Sequence, residues 1–179
     1  MVSLIQAQIH HLKVLLEKGE RSKISEYTSV KDEEVAPNFL LEFAIYKLTE
    51  DAVNSFWWSP RLIVVEQTIV GTIGFKSIPN FKKRYCSVEI GYGIVPSQQN
   101  KGFATEAVRL ILKEAFSISE IKTVVACTCP SNKPSQRVLE KNSFIKKKSK
   151  IDLEDGEILV WEKTRSSRCF PNPIYIDNR

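Results

Sequence analysis

Gln99, Asn100, Lys101, Gly102, Phe103, Ala104 and Thr105 form a polar turn with a glycine, placed at the head of an apolar-periodic segment. The first amides of a helix have no carbonyl partners within it and lie at the positive end of its dipole. Such a terminus is an anion site. At Gly102 and Ala104 the side chains are absent or small, so a phosphate group can approach the main chain where bulk would obstruct it. A phosphate-bearing ligand is the expectation. Upstream, strand alternation puts Glu89 on the same face as Gly91 and Gly93, whose missing side chains leave open space. A carboxylate beside that floor can take a proton, directly or through a water; the alternative is an ordinary pairing with a surface lysine. Neither Gly-x-Gly-x-x-Gly nor a Gly-Lys-Ser/Thr ending occurs in the chain, which excludes the dinucleotide fingerprint and the Walker phosphate loop.

The elements that must position these residues can be read from periodicity. The turn follows a strand, Cys86 to Val95, and opens a helix in which Ala104, Ala107, Val108, Ile111 and Ala115 share one face while Glu106, Arg109 and Lys113 take the other. Lys122 to Cys129 reads as a strand entered through that helical crossover, hence a parallel neighbour of the first. Asn132 opens a short helix with Ser135, Val138 and Leu139, closed by Asn142-Ser143-Phe144, and a last hairpin joins 144–150 to 157–163 across Asp155-Gly156. Earlier in the chain, Val2–Gln6 reads as a strand and Gln8–Lys18 as a helix stopped by Gly19. The polar stretch Arg21–Pro37 reads as a loop, and a second helix runs from about Asn38 to Glu50. Arg61–Glu66 and Ile69–Phe75 form a hairpin that makes a three-stranded antiparallel meander with Cys86–Val95.

The turn satisfies the pattern Gln/Arg-x-x-Gly-x-Gly/Ala through Gln99, Gly102 and Ala104, and the strand, helix, strand and Asn-initiated helix follow in order. In this the chain resembles the GNAT superfamily of acyl-CoA-dependent N-acyltransferases. The phrases Glu89-Ile90-Gly91-Tyr92 and Asn132-x-x-Ser135-x-Arg137-Val138-Leu139-Glu140-Lys141-x-x-Phe144 are most similar to the group containing the ribosomal-protein alanine N-acetyltransferases. The resemblance implies an α+β fold, a mixed and mostly antiparallel sheet of six to seven strands flanked by about four helices around a central β-α pyrophosphate-binding unit. It further implies acetyl-CoA as co-substrate and a primary amine, on a small molecule or a protein N-terminus, as acceptor. The main chain at Ile94 and Val95 would pair with the pantetheine amides as an added strand does. The amides of residues 99–105 would take the pyrophosphate, Asn132 and Ser135 would reach the pantetheine, and Arg137 or a lysine near the helix ends would meet the ribose phosphate. Asn132 can equally be a plain helix cap. Many relatives carry a tyrosine seven residues after that asparagine to protonate the leaving thiolate. Here Leu139 stands there, so Ser135 or solvent is left to supply the hydrogen bond. Tyr92 alternates to the face opposite Glu89 and reads as packing or pocket wall.

Composition sets the outer limits. The chain of 179 residues is 42% hydrophobic and carries a formal charge of +5, which fits one domain over 1–164 with a tail at 165–179. No apolar run approaches the roughly 20 residues of a membrane span, and the N-terminus lacks a signal-peptide pattern, so a cytoplasmic protein without membrane partners is expected. The four cysteines lack zinc-site spacing and read as structural thiols, Cys127 and Cys129 as small core residues, with no metal expected. His10 and His11 read as surface or capping residues. Lys82-Lys83-Arg84 and Lys146-Lys147-Lys148 supply most of the excess charge; without a recognition helix or an RNA-binding sheet signature, nucleic acid is disfavoured. Trp57 and Trp58 either wall an acceptor pocket or anchor a strand start. A homodimer is left open, as is a catalytically silent acyl-CoA-binding module.

Overall fold

The computed structural model describes residues 1–17, 23–24, 27–30, 32–153 and 156–165. The tail beyond Arg165, the glycine stop at Gly19 and Asp155 of the last turn lie outside the described residues. In chain order the elements are β1 (Val2–Gln6), α1 (Ile9–Leu16), β2 (Lys23–Ile24), β3 (Tyr27–Ser29), α2 (Asn38–Glu50), α3 (Ser55–Trp58), β4 (Arg61–Val65), β5 (Thr68–Phe75), β6 (Cys86–Ile94), α4 (Phe103–Ser117), β7 (Ile121–Thr128), α5 (Lys133–Lys141), β8 (Ile145–Asp152) and β9 (Gly156–Thr164). Among the described residues one mixed sheet runs in the order β1-β4-β5-β6-β7-β9-β8, with β2 and β3 off that path.

The sheet is antiparallel except where β6 meets β7 and where β3 touches β5. The parallel β6–β7 step is the one bridged by α4, because parallel neighbours need a crossover. β4 and β5 are joined through Glu66 and Gln67 at φ 48° and 65°, the pair of left-handed residues that a two-residue hairpin requires.

Alternation along β4 builds two cores. Leu62 and Val64 face one apolar cluster with Leu12, Leu41 and Leu48 of α1 and α2. Ile63 faces the other, with Val108, Ile111 and Ala115 of α4 and Leu139 of α5. A strand buried on both faces reads as a continuous apolar run, which is how Leu62–Val65 is written. The Arg61 guanidinium is buried between the layers, where Nε donates to Glu114 Oε2 at 2.9 Å and Nη1 to the carbonyls of Phe56 and Ser59.

Several expectations change. The stretch Arg21–Pro37 contains two short strands, because β3 finds a parallel partner in the Thr68 end of β5; strands of two and three residues are too brief to leave a period. Cys127 is half-buried and Cys129 exposed, not core, since Val124, Ala126 and Thr128 take the inward phase of β7. Trp57 packs against Phe56 and Phe75 and anchors the entry to β4. No helix among the described residues is long and apolar enough to cross a membrane.

Candidate active site

The site begins where two strands part. β6 and β7 are paired from Cys86↔Ile121 to Ile90↔Ala126, but β6 continues to Ile94 and β7 to Thr128 without further pairing. On its other edge β6 stays with β5 through Ile94. Lys76 N donates to Glu89 O at 2.8 Å and Val95 N to Val70 O at 2.9 Å, so the odd-numbered residues of β6 spend their polar groups on β5. By the same alternation the main chain of Tyr92 and Ile94 is directed into the gap. Gly71 permits the close β5 approach, since a Cβ there would lie 2.1 Å from Gly93 O.

The gap opens into a cleft of about 420 Å³ lined by Tyr92, Gly93, Ile94, Gln98, Gln99, Asn100, Gly102, Phe103, Ala104, Thr105, Asn132, Pro134, Ser135, Arg137, Val138 and Lys141. One end is the start of α4. Gly102 is its N-cap at φ 82°, with no side chain capping the helix, and the first bond to its carbonyl comes from Glu106 N. The amides of Phe103, Ala104 and Thr105 are therefore the donors that the helix leaves over. A Cβ at Gly102 would meet nothing within 4 Å, so the approach is open. Gln99 Nε2 donates to Ile94 O at 2.9 Å and pins the turn to the end of β6. Arg137 and Lys141 supply the cleft's cationic side chains. Uncapped amides, an open glycine and two cations together fit a diphosphate.

The opposite wall is α5. Asn132 Oδ1 accepts from Ser135 N at 3.1 Å, a proper N-cap, and Asn142 at its far end donates to Thr105 O at 3.0 Å, bracing α5 on α4. Across the gap, the Tyr92 hydroxyl lies 2.8 Å from Ser135 Oγ and donates to Ser135 O at 3.2 Å. Burial pushes the Tyr92 phenol above its ordinary pKa, against the opposing pull of its bond to Ser135.

Glu89 sits on the other face of β6. Its carboxylate is ion-paired with Lys76 at 2.8 Å, with Glu89 about one-third exposed. Gly93 does leave open space, whereas Gly91 faces the Lys76 stem. Cys127 lies on this face too: its thiol is pushed up by burial first and by the Glu89 carboxylate second.

With this geometry in place, the acetyltransferase (GNAT) domain family is found to match residues 3–145. The chain belongs to the GNAT acetyltransferases. It is 30% identical over 152 residues to the probable N-acetyltransferase YjcK of Bacillus subtilis, covering 80% of this chain and 71% of that protein. It is 34% identical over 97 residues to the uncharacterized N-acetyltransferase p20 of Bacillus licheniformis, a stretch that spans about half, 53%, of each. Among solved structures, the ribosomal-protein-S5-alanine acetyltransferase from Vibrio fischeri superposes with a TM-score of 0.69 at 16% identity, over 93% of this chain and 94% of that one. The aminoglycoside acetyltransferase AAC(6')-Ib in complex with coenzyme A does so with a TM-score of 0.64 at 21% identity, over 92% and 95%.

In this GNAT chain the cleft gathers Ile94, Gln99, Asn100, Gly102, Phe103, Ala104, Thr105, Asn132, Ser135 and Arg137 of the residues expected from the sequence. It does not gather Val95, whose side chain is buried in the α1–α2 core and whose amide is taken by Val70. Lys101 is also outside, its ammonium donating to Gln98 Oε1 at 2.9 Å. Leu139 is fully buried. Sequence reasoning missed the Tyr92–Ser135 contact and, while allowing a lysine near the helix ends beside Arg137, did not single out Lys141 of the lining. The first needs two elements 43 residues apart to meet; the second was legible, because Arg137 and Lys141 are one helical turn apart.

Proposed function

We propose that the protein transfers an acetyl group from acetyl-CoA to a primary amine by direct attack in a ternary complex. The observation that carries this reading is the parting of β6 and β7 after Ile90↔Ala126, which presents an unpaired strand edge at one end of a cleft whose other end is the uncapped start of α4. An extended arm carrying two amides can add to such an edge, while its diphosphate reaches the helix terminus.

The chain's own residues then have distinct tasks. The amides of 103–105, with Arg137 and Lys141, hold the phosphates. Ile94 and Tyr92 offer main-chain partners to the arm. Glu89 takes the proton released as the amine nitrogen bonds to the thioester carbon. Ser135 donates to the sulfur as the carbon–sulfur bond breaks, the fully protonated thiol drawing its proton from solvent. Acceptors of two kinds are consistent with this, a protein N-terminus or a small molecule bearing a primary amine, and the names of the neighbours point to a ribosomal-protein alanine in one case and an aminoglycoside in the other.

A second reading, a silent acyl-CoA-binding module, is favoured by Leu139 at the place of the tyrosine acid and by the Lys76 ion pair on Glu89. Free-thiol release from acetyl-CoA over a panel of amines and N-terminal peptides separates the two. Turnover is expected with at least one amine, and Glu89→Gln should lower kcat about 100-fold while coenzyme affinity holds. Binding without turnover on any amine would establish the silent module. A Glu89→Gln enzyme equal to wild type across pH would remove Glu89 as the base.

A further inference from the structure

The face of β6 opposite Glu89 carries a second device, the hydroxyl pair Tyr92 and Ser135. Resting on the acetyl-transfer reading above, we propose that Tyr92 is a positioning residue for the leaving sulfur: its phenol holds the Ser135 hydroxyl in the orientation from which that hydroxyl donates to the departing thiolate.

The geometry gives the phenol two acceptors on one residue, Ser135 Oγ at 2.8 Å and Ser135 O at 3.2 Å. A tyrosine has one proton to give, and either oxygen of the 2.8 Å contact can be its donor. With no thiolate present, the phenol donates to the carbonyl and accepts from Ser135. When negative charge grows on sulfur, the serine proton turns to it and the phenol proton turns to Oγ. Two hydrogens rotate and no heavy atom moves. The serine thus acts as a donor whose own oxygen is supported by a second donor, the arrangement in which hydrogen bonds strengthen one another.

Other features fit a fixed donor better than a proton source. Burial holds the phenol in its protonated, donating form. The Ser135 main chain is fixed independently by Asn132 Oδ1, so Tyr92 is not needed to place the residue, only its hydroxyl. The Tyr92 ring packs against the α4 core, and that packing requires no hydroxyl. Tyr92 lies in the cleft lining beside Ile94, at the strand edge to which the transfer reading assigns the coenzyme's arm.

The test is a double-mutant cycle on acetyl transfer. Tyr92→Phe keeps the ring and removes the donor. Its kcat should fall about ten-fold, with KM for acetyl-CoA and the melting temperature unchanged. Ser135→Ala should lower kcat about 100-fold, and the double variant should be no slower than Ser135→Ala alone. A role in packing alone would instead leave the Tyr92→Phe kcat at the wild-type value, a hydrogen bond serving only stability would lower the melting temperature without lowering kcat, and a hydroxyl acting independently of Ser135 would make the two losses multiply. Tyr92→Met, which fills the space without a donor, serves if Tyr92→Phe does not fold. Wild-type turnover with an unaffected Tyr92→Phe overturns this inference alone. Wild-type protein that binds acetyl-CoA and acetylates nothing overturns it together with the transfer reading.

Discussion

The two faces of β6 are built on opposite principles. On the α4–α5 side, the groups proposed to hold the coenzyme are main-chain amides and a strand edge, fixed by a glycine cap, a glutamine pin and an asparagine cap. On the other side the groups proposed to face the acceptor are side chains, Glu89 of β6, Cys127 of β7 and Lys76 just past the end of β5. Main-chain recognition needs particular small or capping residues in consecutive positions, so it is written locally in sequence. Side-chain recognition needs only that distant residues meet, and any of them can change with the acceptor. The first face is therefore expected to tolerate little substitution for any substrate, and the second to be specific to one.

The largest break in that comparison should come from Gly102→Asp. Two unit charges about 4 Å apart at an effective dielectric near 20 repel by about 4 kcal/mol, so coenzyme A affinity should fall at least about 100-fold by calorimetry. The melting temperature should fall only slightly, because Gly102 holds a left-handed φ of 82° that strains any side chain, while a carboxylate at the helix start offsets part of that cost. A variant that binds coenzyme A normally would show that the diphosphate does not sit on α4. Gln99→Ala acts on the same face with less force. It removes one exposed side-chain bond, to Ile94 O, worth about 1 kcal/mol, and should weaken coenzyme A roughly five-fold for every acceptor alike. A loss that depended on the acceptor would blur the division between the faces.

That division also explains what could be read in advance. The order β4-β5-β6, the parallel β7, the N-cap at Asn132 and the last hairpin follow from periods and turn residues, and all are present. The glycine turn at 99–105 and the helix start it opens were legible down to Gly102, because left-handed φ, absent Cβ and helix start coincide at one residue. Val95 was placed one residue too far along, since a strand's hydrogen-bonding side depends on register with β5, which a sequence does not display. The pairing of Lys76 with Glu89 spans a loop that carries several other exposed cations, and nothing in the chain singles out Lys76. Tyr92 had the correct face but no visible partner, because Ser135 reaches it only once α5 is braced on α4 through Asn142.

The smallest expected effect probes the acceptor face without any substrate. Cys127 and Cys129 differ by one strand repeat, yet Cys129 is exposed while the Cys127 thiol is raised by burial and by the nearby Glu89 carboxylate. Only the thiolate alkylates, so at mildly alkaline pH Cys127 should react with iodoacetamide more slowly than Cys129. Removing the carboxylate lowers the cost of a thiolate beside it. Glu89→Gln should therefore speed alkylation of Cys127 by about three-fold and leave Cys129 unchanged, as read by peptide mass spectrometry. An equal rate at Cys127 in both proteins would mean that the carboxylate faces away from it, and with it the view that Glu89, Lys76 and Cys127 form one acceptor-facing surface would fail. The cradle on the opposite face would be untouched by that result, which is the asymmetry that the two modes of recognition predict.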